Sequence, residues 1–323
     1  MPQHHMMQYQ LCDLILESNI PLVELTPATG QPPACTFHLL PATAPRPVAV
    51  DWFHQWLLPD GEAWLSFGRW EGDYLLRFSD MIDFLVAVDG RTIRCYPAPD
   101  IPPETVRHLL LDQVIPLTLS QQGKLVVHAG AVVLPEGAVA FLGRTGFGKS
   151  TLTASFSHQG FPLLSDDCLL VEERRGQLVG IPSYPGLRLW PDMIEAFFAQ
   201  EPDLTRVAHY SEKKRVVLNH VRLSFYPDAV PLRRIYFLAP PDESNGARDI
   251  TLTPLRPADA FMELFKHSYH LDITDREKLK EEFEVLGQMM VLPIFSRLAF
   301  PRDLALLPAV RECILADLKN NLM

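Results

Sequence analysis

A glycine-rich stretch in the middle of the chain has residue types and spacing suited to binding a polyphosphate. It reads Gly143-Arg-Thr-Gly-Phe-Gly-Lys149-Ser150 and matches the pattern GxxxxGK[ST] in full. Glycines let backbone N–H groups approach phosphate oxygens, the lysine adds a positive charge, and the serine hydroxyl can bind Mg²⁺. We therefore expect ATP and Mg²⁺ as ligands, with these residues binding the nucleotide: Gly143, Arg144, Thr145, Gly146, Phe147, Gly148, Lys149, Ser150 and Thr151.

Two adjacent carboxylates follow this loop after one helix and one turn. An apolar run at 161–164 ends in Ser165-Asp166-Asp167. At a strand end beside a phosphate loop, Asp166 can bind Mg²⁺ and Asp167 can accept a proton from an attacking hydroxyl. The alternative is a polar turn before the apolar run at 169–173. A paired aspartate so soon after the loop favours a kinase.

A histidine precedes the loop by one predicted hairpin. His128 ends the apolar strand predicted at 125–127. One interpretation is a hydrogen-bonded core histidine, and the other is a donor near the transferred phosphate or its acceptor. The predicted catalytic set is therefore Asp167, His128 and Lys149, with Ser150 and Asp166 as metal ligands.

These residues depend on an α/β arrangement in the second part of the chain. Residues 139–142 read as a strand directly before the loop and 150–158 as a helix after it, whose positive N-terminal end faces the phosphates. This alternation of strands and helices continues to the C-terminus. Further strands are predicted at 131–134 and 234–238, and further helices at 258–267, 276–290 and 303–317.

The first part of the chain has a different sequence pattern, in which segments of β-forming residues predominate. Asp89-Gly90 separates two apolar runs, which is a strong hairpin signal. Four segments are rich in β-forming residues: 64–67, 74–78, 84–88 and 92–96. A proline-rich segment at 97–103 precedes a helical pattern from Val106 to Val114. We predict a β-rich domain over 1–120, suited to gripping a substrate, and a catalytic domain over 121–323.

Composition excludes several classes of protein. The 323 residues carry 39 acidic and 29 basic side chains, a net charge of −10, which argues against nucleic acid or an anionic membrane as partner. No apolar run is long enough to span a bilayer. Five scattered cysteines without a CxxC pair, and an N-terminus without a signal peptide, predict a cytoplasmic protein.

The phosphate-site motifs together resemble the catalytic domain of HPr kinase/phosphorylase. That family has a Val-His strand, a loop ending Gly-Lys-Ser and a strand ending in paired aspartates, as in Val127-His128, Gly148-Lys149-Ser150 and Asp166-Asp167 here. The resemblance implies an α/β P-loop kinase domain of the HPr kinase/PEP carboxykinase-like type. It also implies that Asp167 is the proton acceptor and His128 catalytic. The family's Glu-x-Arg-Gly segment has no counterpart, and Tyr184-Pro-Gly-Leu-Arg188 stands near its place.

The overall layout is similar to the HPr kinase-related group of bacterial peptide-biosynthesis clusters, which includes the lasso-peptide precursor kinases. The similarity lies in segments such as 18–25, 84–90, 110–114 and 300–303. It implies transfer of phosphate to a serine on a peptide or small protein. A small-molecule kinase and a nucleotide-binding regulatory protein with little turnover stay open as alternatives.

Several properties stay open at this level. They are the acceptor, the choice of ATP over GTP, reversibility, and whether the chain forms a homo-oligomer. Four basic residues near the predicted site also have no assigned role: Arg188, Lys213, Lys214 and Arg215.

Overall fold

The computed structural model describes residues 6–198, 202–217, 223–241 and 249–320. These residues fall into two compact units. The first lies within Met1–Lys124, Val207–Ser211 and Tyr269–Lys280, and the second within Leu125–Arg206, Glu212–Ser268 and Glu281–Met323. Segments 207–211 and 269–280, which sequence reasoning assigned to the second domain, thus belong to the first unit.

The first unit is built on one mixed sheet of nine strands among the residues described. The strands are β1 (Met7–Leu11), β2 (Leu14–Ser18), β3 (Thr26–Ala28), β4 (Cys35–Leu39), β5 (Asp51–Leu57), β6 (Ala63–Trp70), β7 (Asp73–Phe78), β8 (Ile82–Val86) and β9 (Thr92–Pro97). Their spatial order is β3-β1-β2-β4-β9-β8-β7-β6-β5. The predicted Asp89-Gly90 hairpin is confirmed, because β8 and β9 pair antiparallel and Gly90 has φ +70°.

Helices follow the sequence pattern closely. The described helices are α1 (Pro103–Leu109), a π-helical turn (Leu110–Val114), α2 (Ile115–Gln121), α3 (Lys149–His158), α4 (Pro191–Phe197), α5 (Pro257–His267), α6 (Arg276–Met289) and α7 (Leu307–Asn320), the last preceded by a 3₁₀ turn (Leu304–Leu306). Pro103 opens α1, where its missing N–H costs no hydrogen bond. The helix predicted over 106–114 is longer than expected and continues to Gln121 through the π-helical turn.

The second unit contains a larger set of strands. They are β10 (Leu125–Val127), β11 (Ala129–Leu134), β12 (Gly137–Leu142), β13 (Leu163–Ser165), β14 (Leu169–Arg174), β15 (Gln177–Ile181), β16 (Leu187–Leu189), β17 (Leu204–Arg206), β18 (Lys214–Val216), β19 (Val230–Leu238), β20 (Thr251–Pro254) and β21 (Phe295–Ala299). The main sheet has the order β10-β14-β15-β19-β12-β11-β13, and β21 pairs with β19 and β20. A small second sheet has the order β16-β18-β17.

Strand β12 is central in this sheet and buried on both faces. Ala138, Ala140 and Leu142 belong to one core cluster, which includes α5 residues such as Leu264. Val139 and Phe141 belong to a second cluster with residues of α3 and α7. Such two-sided burial is typical of strands covered by helices on both faces, and it fixes the end of β12 firmly.

Strand directions bring several chain segments to one edge. β12 runs parallel to β19, and β19 runs parallel to β21. β11 is antiparallel to both β12 and β13, so β13 points the same way as β12. The carboxyl ends of β12, β13, β19 and β21 therefore share an edge with the start of β11.

No helix in the described ranges is long and apolar enough to cross a membrane. All five cysteines lie in the described residues, and Cys12, Cys35, Cys95 and Cys168 are buried.

Candidate active site

The glycine-rich loop joins the end of β12 to the start of α3. Gly146 and Gly148 have φ of +86° and +90°, a left-handed conformation that favours glycine. Gly148 is the N-cap of α3, so the backbone N–H groups of the first helical turn open toward the loop. Arg144 and Thr145 are exposed, and Phe147 packs against the core cluster behind the loop. This is a cradle into which an anion can fit.

Lys149 lies across the loop rather than in solvent. Its Nζ donates hydrogen bonds to the carbonyl oxygens of Gly143, at 2.7 Å, and Arg144, at 3.3 Å. The residue is only 5% exposed. Burial lowers the pKa of Lys149, while the charges of Asp167 and Asp166 act in the opposite direction. The ammonium group is thus held at the loop, close to both carboxylates.

The first carboxylate meets the loop through a serine. Ser150 Oγ donates to Asp166 Oδ1 over 3.1 Å. Strands β12 and β13 are not neighbours, because β11 lies between them. Ser150 and Asp166 still meet because β12 and β13 end at the same edge and α3 returns the chain across it.

The second carboxylate sits on a strained turn. Asp167 has φ +70°, which is uncommon for a residue with Cβ. Its side chain is 22% exposed, whereas that of Asp166 is 1% exposed. Asp167 Oδ1 lies 3.1 Å from His128 Nε2, and Oδ2 lies 3.1 Å from Arg188 Nη2. The strained turn thus presents Asp167 outward and Asp166 inward.

Arg188 is the residue whose role the sequence left open and which the structure places between the two carboxylates. Its backbone N–H donates to Asp166 Oδ2 at 2.9 Å, and its Nη2 donates to the Asp166 carbonyl oxygen at 2.8 Å. The side chain is 3% exposed. Arg188 lies on β16, in the segment Tyr184-Pro-Gly-Leu-Arg188 that the sequence resemblance singled out.

The two aspartates differ in their tendency to ionise. Burial and the neighbouring Asp167 raise the pKa of Asp166, against the opposing effect of Arg188. Burial would also raise the pKa of Asp167, but Arg188, the hydrogen bond and charge of His128, and Lys213 hold it well below its usual range. Asp167 is therefore the carboxylate whose ionised form the surroundings favour, and Asp166 is the one whose ionised form they disfavour.

His128 lies in the break between β10 and β11, at the start of β11 and near the end of β12. Its backbone N–H donates to the carbonyl oxygen of His267 at 2.8 Å, which fixes the break against the end of α5. His267 itself is a neighbour that sequence reasoning missed, because no motif surrounds it. Burial lowers the pKa of His267 to about 4, with further effects from His128, Glu263, Lys149 and Lys266. Its imidazole is therefore neutral near pH 7.

The basic segment at 213–215 adjoins the same carboxylates. Arg215 on β18 lies opposite Arg188 on the antiparallel strand β16. It is 5% exposed, and its guanidinium carbon lies 5.7 Å from the Tyr184 ring centroid. Lys213 lies over the ring of Trp190 at 5.6 Å, and its charge lowers the pKa of both aspartates. The site therefore combines two carboxylates with several cations, an arrangement suited to a multiply charged anion.

The oxygen donors near the loop can bind a hard cation only if a bound ligand supplies further oxygen atoms to its coordination shell. Ser150 Oγ and Asp166 Oδ1 are oxygen donors of the type Mg²⁺ prefers. Within the described residues, no group of three or more His, Cys, Asp or Glu side chains could hold a metal ion. This fits Mg²⁺, which commonly takes one or two protein ligands and completes its shell with phosphate oxygens and water.

Comparisons with known proteins give little beyond this geometry. No protein-family model and no curated protein matches the chain. Among solved structures, it is similar to the Hpr(Ser) kinase/phosphatase from Coxiella burnetii over 61% of this chain and 93% of that chain, with 12% identity and a TM-score of 0.30. That protein bears the family name suggested by the sequence resemblance.

Proposed function

We propose that the protein is an ATP-dependent kinase that transfers the γ-phosphoryl group to a serine hydroxyl of a peptide or small protein. The observation that carries the proposal is the contact between the glycine-rich loop and the carboxylate pair. Ser150 of the GxxxxGK[ST] loop is hydrogen-bonded to Asp166, and the adjacent Asp167 stays ionised beside His128 and Arg188. A phosphate cradle and an available base therefore lie side by side.

The loop suits the phosphate chain of a nucleoside triphosphate, for which we propose ATP. The N–H groups at the start of α3 and the ammonium of Lys149 offer donors and positive charge to the phosphates. Lys149 is bonded to loop carbonyls in this structure, so phosphate oxygens replace those carbonyls as its partners on binding. Because the hydrogen bonds are exchanged rather than newly lost, the ammonium is satisfied in both states.

Ser150 and Asp166 would hold Mg²⁺, which supplies positive charge to the phosphate chain when bound. The raised pKa of Asp166 agrees with this role, because an added cation would stabilise a carboxylate that is buried beside another carboxylate. Arg188 orients Asp166 through its backbone N–H, so the metal-facing oxygen is set by the neighbouring strand.

The transfer step is a direct displacement. The serine oxygen of the acceptor forms a bond to the γ-phosphorus, the bond from that phosphorus to the β,γ-bridging oxygen breaks, and ADP leaves. The acceptor's hydroxyl proton passes to the Asp167 carboxylate. In this proposal the charges of Lys149 and Arg188 stabilise the phosphoryl group in transfer. His128 positions Asp167 through the 3.1 Å contact.

The test is transfer of label from γ-labelled ATP, with Mg²⁺, to candidate peptides encoded beside the gene. We expect labelled phosphoserine from the wild-type chain and a loss of about 10²–10⁴-fold in the Asp167→Asn variant, with ATP binding retained. Label on a small metabolite instead of a peptide would indicate a small-molecule kinase. ATP binding without any labelled acceptor, and without dependence on Asp167, would indicate a nucleotide-binding regulator.

A matched control exists in the first unit. Asp80 is also an aspartate in the left-handed region, with φ +59°, and it is exposed. Asp80→Asn repeats the chemical change and the backbone conformation without touching the carboxylate pair. If Asp80→Asn and Asp167→Asn reduce transfer equally, the base assignment is wrong.

A further inference from the structure

Arg302 reaches the glycine loop from a strand that the motif does not include. It follows β21, which lies two strands from β12 on the side of β19, whereas β13 and the aspartate pair lie two strands away on the opposite side. A Cβ placed on Gly148 would lie 3.9 Å from Arg302 Nε. The guanidinium thus adjoins the N-cap of α3 from the flank opposite Asp166 and Asp167.

Main-chain carbonyls and a ring hold Arg302 in place. Its Nη2 donates to the carbonyl oxygen of Ala239 at 2.6 Å, directly after β19, and its Nη1 to that of Phe300 at 3.3 Å. The guanidinium carbon lies 4.2 Å from the Phe300 ring centroid. Because its anchors are the ends of two parallel strands, the side chain is fixed relative to the loop.

The charge of Arg302 has no counter-ion among the residues the structure describes. Its Nε is buried and has no hydrogen-bond partner there, and no described carboxylate lies within ion-pair distance of the guanidinium. Burial lowers the pKa of the guanidinium. By contrast, Arg234 on neighbouring β19 is paired with Asp317 at 2.9 Å. An uncompensated charge in a partly desolvated position is destabilising unless an anion joins it.

We propose that Arg302 is a nucleotide-binding residue that stabilises the nucleoside-side phosphates of ATP and ADP, an inference that rests on the proposed kinase function. The reacting phosphoryl group must lie toward Asp167, so the rest of the phosphate chain extends across the loop toward the opposite flank. Arg302 is the guanidinium on that flank. It therefore acts on nucleotide affinity, and the groups beside Asp167 act on transfer.

The test is isothermal titration of the full chain with Mg-ADP, together with KM and kcat for ATP. We expect Arg302→Gln to weaken Mg-ADP binding about tenfold, the contribution of one charge-assisted contact, and to raise the KM for ATP similarly. The effect on kcat is expected to be much smaller. Arg302→Lys keeps the charge without the planar fork and is expected to lose less affinity. It also serves as the test variant if Arg302→Gln does not fold.

Arg311→Gln is the matched control. Arg311 is another arginine whose pKa is lowered by burial, and it donates to Ser155 Oγ on α3, away from the loop. We expect it to leave the Kd for Mg-ADP unchanged. Equal loss in both variants would assign the effect of Arg302 to packing on α3 and overturn the proposal, as would unchanged Mg-ADP affinity in the Arg302 variants.

The two proposals fail in different ways. If wild type binds Mg-ADP and phosphorylates an acceptor while Arg302→Gln binds equally well, only the Arg302 assignment is wrong. If Arg302→Gln weakens Mg-ADP binding but no acceptor is labelled, the Arg302 assignment stands and the kinase proposal fails. Absence of Mg-ADP binding by wild type would overturn both.

Discussion

Each unit of the protein contains a buried carboxylate bound by arginine, and the two clusters differ in what remains unsatisfied. In the first unit, Asp83 is fully buried in β8 and accepts from two arginines. Arg77 contacts both of its oxygens at 2.8 Å, and Arg46 contacts them at 2.8 and 3.1 Å. Asp83 thus has charge-assisted contacts on both oxygens and lies in a regular strand.

The cluster in the second unit has the opposite balance. Asp166 and Asp167 are adjacent and share Arg188, so one buried guanidinium contacts two carboxylates. Asp167 is partly exposed, has a left-handed backbone conformation, and contacts His128 through its carboxylate oxygen Oδ1. A carboxylate arranged in this way can accept a proton or face a ligand, whereas Asp83 cannot without losing an arginine.

The difference separates a structural ion pair from a candidate site by physical features. Saturated contacts in a regular strand stabilise the fold. Like charges held together on a strained turn are destabilising in themselves, and their position near a phosphate-binding loop gives that strain a chemical use. Substitutions in the two clusters should therefore affect different quantities.

The largest effect is expected at Asp167. Asp167→Asn should reduce phosphoryl transfer about 10²–10⁴-fold. Its effect on the free energy of unfolding should be smaller than that at Asp83, because asparagine tolerates the left-handed conformation and relieves repulsion with Asp166, which partly offsets the weakened contacts with Arg188 and His128. Label transfer and urea denaturation measure the two quantities. A large loss of stability without loss of transfer would make this cluster structural, like that of Asp83.

The reverse is expected at Asp83. Asp83→Asn should lower the free energy of unfolding by about 2–3 kcal/mol, the size of lost charge-assisted hydrogen bonds. Binding of Mg-ADP by the folded fraction should not change. Urea denaturation gives the first quantity and calorimetry the second. Stability equal to wild type would mean that water replaces the contacts of Arg46 and Arg77 with Asp83 at no cost. The ion pairs of Asp83 would then not be needed for the stability of the fold.

A smaller effect follows from pH. The pKa of His267 is lowered to about 4, so the unfolded chain binds a proton that the folded chain does not. Stability is then fully present above the ordinary histidine pKa and falls as pH drops from about 6.5 toward 4, by about 2 kcal/mol at pH 4.5. The groups acting on His267 are Glu263, Lys266, His128 and Lys149. Denaturation at several pH values should show this slope, and His267→Gln should remove it.

The smallest effect concerns strain in the loop. Gly148→Ala should cost about 1–2 kcal/mol, because φ +90° is unfavourable for a residue with Cβ although no atom lies closer than 3.9 Å. Gly287→Ala is the control, since Gly287 lies within α6 with open space around it and alanine there should stabilise by about 1 kcal/mol. Equal changes in stability at both positions would show that Gly148 is not strained.

Much of the local structure could be predicted because it depends on short-range physics. The Asp89-Gly90 hairpin, the start of α1 at Pro103 and the strand-loop-helix unit around Gly143–Ser150 follow from turn chemistry, proline geometry and periodicity. What periodicity could not give is strand order. It did not reveal that β11 separates β12 from β13, or that 207–211 and 269–280 join the first unit.

The sequence by itself determined the chemical capacity of the candidate site, since the residue types and spacing of Gly143–Ser150 and Asp166-Asp167 are complete in the chain. Only the tertiary structure decided which distant side chains accompany them. Arg188, His267 and Arg302 lie in separate segments with no shared motif. Different elements bring them to the loop and the aspartate pair, whatever their separation along the chain: Arg302 follows β21, His267 ends α5, and Arg188 lies on β16 of the small sheet.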